Sequence, residues 1–306
     1  MLPEDNPNFD FLKNSKGKIK ALKPKRIRGI VSQGLIMPIS ILENYDGSLE
    51  EETDLTEFLK VKKREEVEFD KPFYKNANNF RRSTFPPFIP KTDETRVQVL
   101  QKQLNIANGK TFVVTEKLDG TSFTAFIQDG KFGICSRNME VKLGVPSPYS
   151  EVALDNDLEN KFKELRENVI PYDFAIQGEI IGNGIQGNKY KLQGFECRLF
   201  NFFNIDKQKD IGFYIGDGKE FDDFHGFTLG QVAALLEMQT VPILDSDFKM
   251  TDDIDTLVEY AKGNSVLNPE AIREGVVFRL KNNNALSRYG ERYSFKSINP
   301  DFLCPL

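Results

Sequence analysis

The stretch FVVTEKLDGTSF, residues 112–123, ends an apolar run with a lysine and an aspartate two apart, directly before a glycine. Phe112, Val113 and Val114 have the aromatic and β-branched character of a strand, and Gly120 marks its end. Side chains two apart on a strand share a face, so Lys117 and Asp119 are expected to point the same way. Four residues make a weak motif, and in isolation K-x-D-G reads first as a solvated strand end with a surface ion pair. The rest of the chain decides between the two readings.

With 306 residues the chain has room for one large domain, or a large domain with a small partner. A composition of 39% hydrophobic and 28% charged residues is that of an ordinary soluble globular protein. No apolar run is long enough to span a bilayer, and the start MLPEDNPNFDF lacks the basic and apolar regions of a signal peptide. A cytoplasmic protein without a membrane partner is therefore expected. Cys135, Cys197 and Cys304 are scattered without C-x-x-C spacing, which argues against a disulfide framework or a zinc site. The single histidine, His225, falls in the turn-like FDDFHGF, so a hydrolase needing a histidine base has one poorly placed candidate.

A net charge of −5 speaks against indiscriminate coating of nucleic acid, yet leaves room for a local basic patch. Lys16, Lys18, Lys20, Lys23, Lys25, Arg26 and Arg28 fall within thirteen residues free of acidic ones. By itself that run reads equally as a solvated face or as a nucleic-acid contact.

Up to about residue 50 the chain shows short apolar pieces such as RIRGIVSQGLIMPISIL, punctuated by Gly29, Gly34 and Pro38, which suggests a small β-rich module. A charged, weakly patterned segment follows to Arg82. STFPPFIPKT then places a domain boundary near residue 84, dividing the chain into 1–83 and 84–306. KTDETRVQVLQKQL predicts a helix capped by Thr92, with Val97, Leu100 and Leu104 at helical spacing. LDNDLENKFKELRENV predicts a second, on a stripe of Leu154, Leu158, Phe162, Leu165 and Val169, and FTLGQVAALLEMQ and DDIDTLVEYAKG predict two more. Strands are expected at 111–118, through a hairpin turning at Asp129 and Gly130, and at DFAIQGEII, CRLFNFFNI, GVVFRL and RYSFKSI. Strands dominate and helices do not alternate regularly with them, so the expected fold is α+β with largely antiparallel sheets, and a doubly wound fold is disfavoured. No G-x-G-x-x-G or G-x-x-x-x-G-K-[ST] follows a strand, so any nucleotide is held in another way.

Charge interrupts several of these apolar strands. Glu179 lies inside FAIQGEIIG, Glu274 introduces EGVVFRL, Lys296 interrupts YSFKSI and Arg137 follows the hairpin strand. Each by itself suits a structural or solvated role. With Lys117 and Asp119 they also make a set able to converge on one sheet-lined groove: an amine, three carboxylates and two cations. Metal-assisted phosphoryl transfer to a lysine needs such a set, because an ordinary lysine is neutral only about one time in a thousand at neutral pH. Neighbouring cations, a metal or desolvation must favour the free amine before it attacks. Carboxylates supply Mg²⁺ or Mn²⁺ ligands, and Lys296 and Arg137 offset phosphate charge.

In order, EKLDG, SRN, IQGEIIG, FNFFNID, EGVVF and FKSI resemble the successive motifs of the covalent nucleotidyltransferases, the superfamily of ATP-dependent ligases and mRNA capping enzymes. SRN and GNGIQGNKY make the chain resemble the RNA ligases more than DNA ligases or capping enzymes, over roughly residues 84–306. RIRGIVSQGLIMP and PKTDETRVQ further resemble RNA ligases with an N-terminal OB-type module.

The resemblance implies a nucleotidyltransferase (ATP-grasp-like) domain of antiparallel sheets flanked by helices, preceded by a small OB-like module whose first strands are missing ahead of MLPEDNPNFDFL. It implies an ATP-dependent ligase joining an RNA 3′-hydroxyl to a 5′-phosphate, in nicked duplexes, as a monomer with a role in RNA repair. Lys117 would form the lysyl-AMP adduct. Asp119 and Glu179 would bind ribose and metal-bound water, Glu274 would hold the metal, and Gly120 would belong to the nucleotide site. Phe203 would stack on adenine and Glu116 would contact its edge. Arg137 would meet the sugar or the 5′-phosphate end, and Lys296 the α-phosphate. Lys18, Lys20, Lys23, Lys25, Arg26 and Arg28 would grip the duplex. The last motif is often K-x-K, whereas this chain has only Lys296, with Ser294 and Ile298 two residues to either side, and Lys281 is a candidate substitute. The rival readings are a DNA ligase, which usually carries its OB domain after the catalytic domain, a capping guanylyltransferase, or a catalytically silent RNA-binding protein.

Overall fold

The computed structural model describes residues 7–13, 19, 25–27, 30–32, 37–50, 53–61, 81–210, 227–281 and 293–303. The chain divides into two compact units, residues 1–70 and residues 71–305. In the first, β1 (Lys25–Ile27) pairs antiparallel with β2 (Ile30–Ser32). Lys16, Lys18, Lys20, Lys23 and Arg28 lie outside the described residues, as do the side chains of Lys25 and Arg26, His225 and Cys304.

The second unit runs β3 (Arg81–Thr84), β4 (Thr95–Arg96), α1 (Gln101–Ala107), β5 (Thr111–Lys117), β6 (Thr121–Gln128), β7 (Lys131–Cys135) and β8 (Met139–Val141). It continues through α2 (Pro148–Asp155), α3 (Leu158–Asn168), β9 (Phe174–Gly182), β10 (Phe195–Asn204), β11 (Lys209–Asp210) and α4 (Leu229–Leu235). The last elements are β12 (Gln239–Thr240), β13 (Ile243–Lys249), α5 (Ile254–Tyr260), β14 (Gly275–Leu280), β15 (Ser294–Ile298) and α6 (Pro300–Leu303). β3 pairs with β8, so the residues just before the proline cluster belong to this unit's larger sheet.

Two sheets dominate, and this is an α+β architecture. A five-stranded sheet has the order β13-β5-β14-β15-β4, and an eight-stranded one the order β11-β10-β9-β6-β7-β8-β3 with β12 alongside β10. Pairing is antiparallel except for β4 with β15 and β12 with β10. Alternation along β5 fixes what each face does. Phe112 and Val114, with Val276, Phe278 and Phe295 of the neighbouring strands, turn to a core shared with Leu104 of α1 and Leu257 and Ala261 of α5. Burying an aromatic ring of this kind is worth about 3–5 kcal/mol against alanine. The opposite face carries Lys117.

Local chemistry explains the helix ends. Thr228 and Gln231 form a reciprocal capping box that starts α4, and the Asp253 side chain accepts from the Asp255 N–H to start α5. Arg273 closes the other end of α5 by donating to the carbonyls of Tyr260, Ala261 and Lys262.

Two helical expectations are corrected. The segment after Thr92 does not start a helix: Thr95 and Arg96 pair with β15 as a strand, a 3₁₀ turn follows, and the helix begins at Gln101. Tertiary pairing overrides local propensity there. The long stripe from Leu154 to Val169 is two helices, because Asp157 takes a left-handed φ of 50° between them. Leu158, Phe162 and Leu165 are buried, while Leu154 and Val169 are exposed. β13, which covers the free side of β5, had no counterpart among the expected strands. Its burial is irregular and it bulges against β5 at two places, so no clean alternation marks it. Among the described residues no helix is long and apolar enough to cross a membrane, and Cys135 and Cys197 are buried free thiols.

Candidate active site

Lys117 is the last residue of β5, and its register partner on β14 is Gly275, which sets Glu274 beside it. Lys117 Nζ lies 2.6 Å from Glu274 Oε2, and both side chains are largely buried. A Cβ on Gly275 would come within 2.2 Å of the Ser297 carbonyl oxygen, so only glycine lets β14 approach β15 closely enough to present Glu274 there.

The second carboxylate comes from the other sheet. Glu179 on β9 accepts a hydrogen bond from the Gly120 N–H at 3.1 Å. Gly120 sits against β9 so tightly that a Cβ would meet the Ile180 carbonyl oxygen at 2.2 Å and Glu179 Cγ at 2.8 Å. This contact is the physical content of the glycine in K-x-D-G. Gly120→Ala is expected to lower stability by about 2–4 kcal/mol and to displace Glu179, checked by urea unfolding together with nucleotide binding. An alanine variant as stable as the parent would show that the approach is not required.

Asp119, the third carboxylate, forms an ion pair with Lys189, and its backbone N–H donates to the Tyr190 hydroxyl at 2.8 Å. Lys117 feels all three acids. Burial lowers its pKa, but the charges of Glu274, Glu179 and Asp119 together outweigh that, and the net shift is upward. The free protein therefore holds the amine as an ammonium, the opposite of what nucleophilic attack requires. Burial pushes the Glu274 carboxyl up, against the opposing pull of Lys117.

Lys296 shares the Lys117 face, because it pairs with Val277, which pairs with Thr115. Burial first, then the positive charges of Lys117 and Arg96, bring its amine down to about 8. Arg96 is its register partner across the parallel β4–β15 pair. Arg137 makes an ion pair with Asp93 at 2.6 Å, and Asp93 in turn acts on Lys296. Lys281, the substitute considered for a second lysine, is engaged with Asp247 at 2.6 Å.

Two expected residues do not join this group. Glu116 points with Phe112 and Val114 to the opposite face of β5. Its Oε2 accepts from the Val266 N–H at 2.8 Å, burial raises its carboxyl, and its Oε1 is buried without a hydrogen-bond partner. It anchors the turn at Ser265 and Val266. Phe203 pairs with Ala175, four residues along β9 from Glu179, which is roughly 13 Å away. It is 3% exposed in an apolar cluster with Ile89, Phe126 and Ile205, so its ring offers no face to a base.

Phe200 lies closer along β10 to Arg198, the register partner of Glu179, than Phe203 does. It sits at a bulge between Leu199 and Asn201, its carbonyl accepts from Arg279, and the Arg279 guanidinium lies 5.6 Å from its ring centre. Arg279 shares the Lys117 face of β14. Nothing in the alternation of FNFFNID announces this bulge. Lys189 and Tyr190 were also missed as individuals, although both belong to the quoted GNGIQGNKY.

The donor set suits a hard divalent cation, since three carboxylates converge electrostatically on one amine. Among the described residues no three acidic, histidine or cysteine side chains stand close enough to ligate one ion directly. Asp119 and Glu274 are instead paired with lysines and Glu179 accepts from the Gly120 N–H, so the set fits a hydrated ion held in part through water.

Two antiparallel-dominated sheets closing on a strand-end lysine, with acids from both, make the fold of a ligase-type nucleotidyltransferase. The family model described as RNA ligase matches residues 110–298, more than half of the chain. The chain belongs to the RNA ligase family. Solved structures of Naegleria gruberi RNA ligase are similar over nearly the whole length. A variant with ATP and manganese is 30% identical, with a TM-score of 0.76 over 99% of this chain and 83% of that one. The same enzyme with pyrophosphate is 31% identical, with a TM-score of 0.76 over 99% and 82%. Another variant, with AMP and manganese, is 31% identical, with a TM-score of 0.72 over 92% and 75%. Comparison with curated proteins gave no match.

Proposed function

We propose that this chain is an ATP-dependent RNA ligase that works through a lysyl-AMP on Lys117 and seals 3′-hydroxyl/5′-phosphate nicks in duplexes. The observation that carries this reading is Lys117 held at 2.6 Å from Glu274, with Glu179 and Asp119 acting on the same amine. Family membership and the relative's complexes with ATP, AMP, pyrophosphate and manganese support it.

In the first step the Lys117 amine gives up a proton, for which Glu274 Oε2 is the adjacent acceptor. Nζ then attacks the α-phosphorus of ATP, forming an N–P bond as the bond to pyrophosphate breaks. AMP next passes to the 5′-phosphate of the RNA, freeing Lys117. Finally the 3′-hydroxyl attacks that phosphate and AMP leaves. Lys296 and Arg137 neutralise phosphate charge through these steps. Mg²⁺ or Mn²⁺, where bound, would offset charge on the polyphosphate, with Asp119, Glu179 and Glu274 as the groups that hold it. The basic run from Lys16 to Arg28, in an OB-like module, supplies the duplex grip.

The test is sealing of nicked duplexes in which each strand is made in turn of RNA or DNA. Deoxynucleotides at the 3′-hydroxyl end are expected to slow sealing by about tenfold or more, because the 2′-hydroxyl is the group that distinguishes RNA from DNA. Equal rates would point to a DNA ligase. Labelling by GTP instead of ATP would point to a capping enzyme, and no labelling to a binding protein.

A further inference from the structure

The loop between β9 and β10 carries Lys189 and Tyr190 at its middle, and both engage Asp119. Lys189 is held on three sides. Its carbonyl accepts from Asn268 Nδ2 at 2.7 Å, its Nζ stands 3.9 Å over the Phe302 ring, and its ammonium meets the Asp119 carboxylate. Asn268 itself is nearly buried and lies in the loop between α5 and β14, the loop that also receives Glu116 at Val266. The Lys189 ammonium is thus delivered to one carboxylate of the Lys117 site by contacts from the other sheet's loop and from α6. A long, flexible side chain left to itself spends little time in one geometry. These contacts hold it in place.

We propose that Lys189 is a resident cation of the free enzyme: it neutralises Asp119 until a divalent ion arrives, and it must leave that carboxylate when the ion binds. The inference rests on the reading of Asp119 as part of the metal-holding set. In this role Lys189 is a positioning residue. It adds to the compensation that Lys117 gives the three acids, and it raises the concentration of metal needed to load the site. A lysine that merely ties down its loop would share the same contacts but would not compete with a metal ion.

The experiment is Mn²⁺ binding to the full chain without nucleotide, followed by the paramagnetic resonance signal of free Mn²⁺, for the parent, Lys189→Met, Lys189→Arg and Asp119→Asn. Lys189→Met is expected to bind Mn²⁺ about tenfold more tightly, because a positive charge in contact with the same carboxylate has been removed. Lys189→Arg, which keeps the charge, should bind like the parent. Thermal melts in EDTA should show Lys189→Met losing stability that saturating Mn²⁺ restores. If Asp119→Asn weakens Mn²⁺ binding while Lys189→Met leaves it unchanged or weaker, the resident-cation role is wrong and the metal reading of Asp119 stands. If Asp119→Asn leaves Mn²⁺ binding untouched, both fall together.

Discussion

Lys117→Ala should reduce formation of the covalent adenylate to background, a loss of at least about four orders of magnitude measured with labelled ATP. The reason is positional. Lys296 stands two strands away and offset along them, Lys249 bonds the Thr111 hydroxyl at the far end of β5, and Lys189 is engaged with Asp119. The same variant should still seal a nick whose 5′ end already carries AMP, within about tenfold of the parent, since that step requires no N–P bond. Removing the lysine leaves Glu274 largely buried without its partner, so Lys117→Met, which keeps much of the packing of the stem, should be run beside it with a thermal melt of each. An adduct that persists in a folded variant would place the nucleophile elsewhere. Loss of sealing on the pre-adenylated nick would give Lys117 a part in the last step.

Glu274→Gln is expected to act in two opposing directions. Glu274 contributes the largest single charge effect raising the Lys117 pKa, so neutralising it makes the free amine accessible at lower pH. The pH–rate profile of adenylation in the parent should climb about tenfold per pH unit from pH 6, because the raised pKa keeps Lys117 protonated throughout that range. In the glutamine variant the climb should level off at a lower pH. Yet the maximal rate should fall by about a hundredfold or more, since the variant has lost a carboxylate that helps hold the metal and the polyphosphate in line. The two effects are separable by measuring adduct formation over the full pH range at several Mn²⁺ concentrations. A profile of unchanged shape would mean that Glu274 does not hold the proton on Lys117. An undiminished plateau would remove it from the metal site.

Both predictions depend on how the chain brings distant acids to one amine, and that assembly was only partly written in the sequence. The strand ending at Lys117, the glycine that closes K-x-D-G, and the acids inside IQGEIIG and ahead of GVVFRL are local signals. A charge breaking an apolar strand is visible wherever it occurs. So is the α+β class, because it follows from counting strands and helices. Cross-strand register was not legible. Gly275 opposite Lys117, and Gly120 against Ile180, are facts about which strand lies beside which, and they convert scattered acids into a set acting on one side chain.

Where the reading erred, a long-range contact had overruled a local pattern. Thr95 and Arg96 follow β15 into a sheet although their neighbours carry helical spacing. The charge state of the nucleophile is the clearest case. From its sequence neighbours Lys117 is a lysine between Glu116 and Asp119, with no indication of which distant charges reach it. Only the tertiary structure sets Glu274 at 2.6 Å and Glu179 nearby, and so decides that the resting enzyme stores a proton on the atom that must react. Sequence determined which groups this protein has for nucleotidyl transfer. Their energies depend on distance and burial, which exist only once the two sheets have closed on each other.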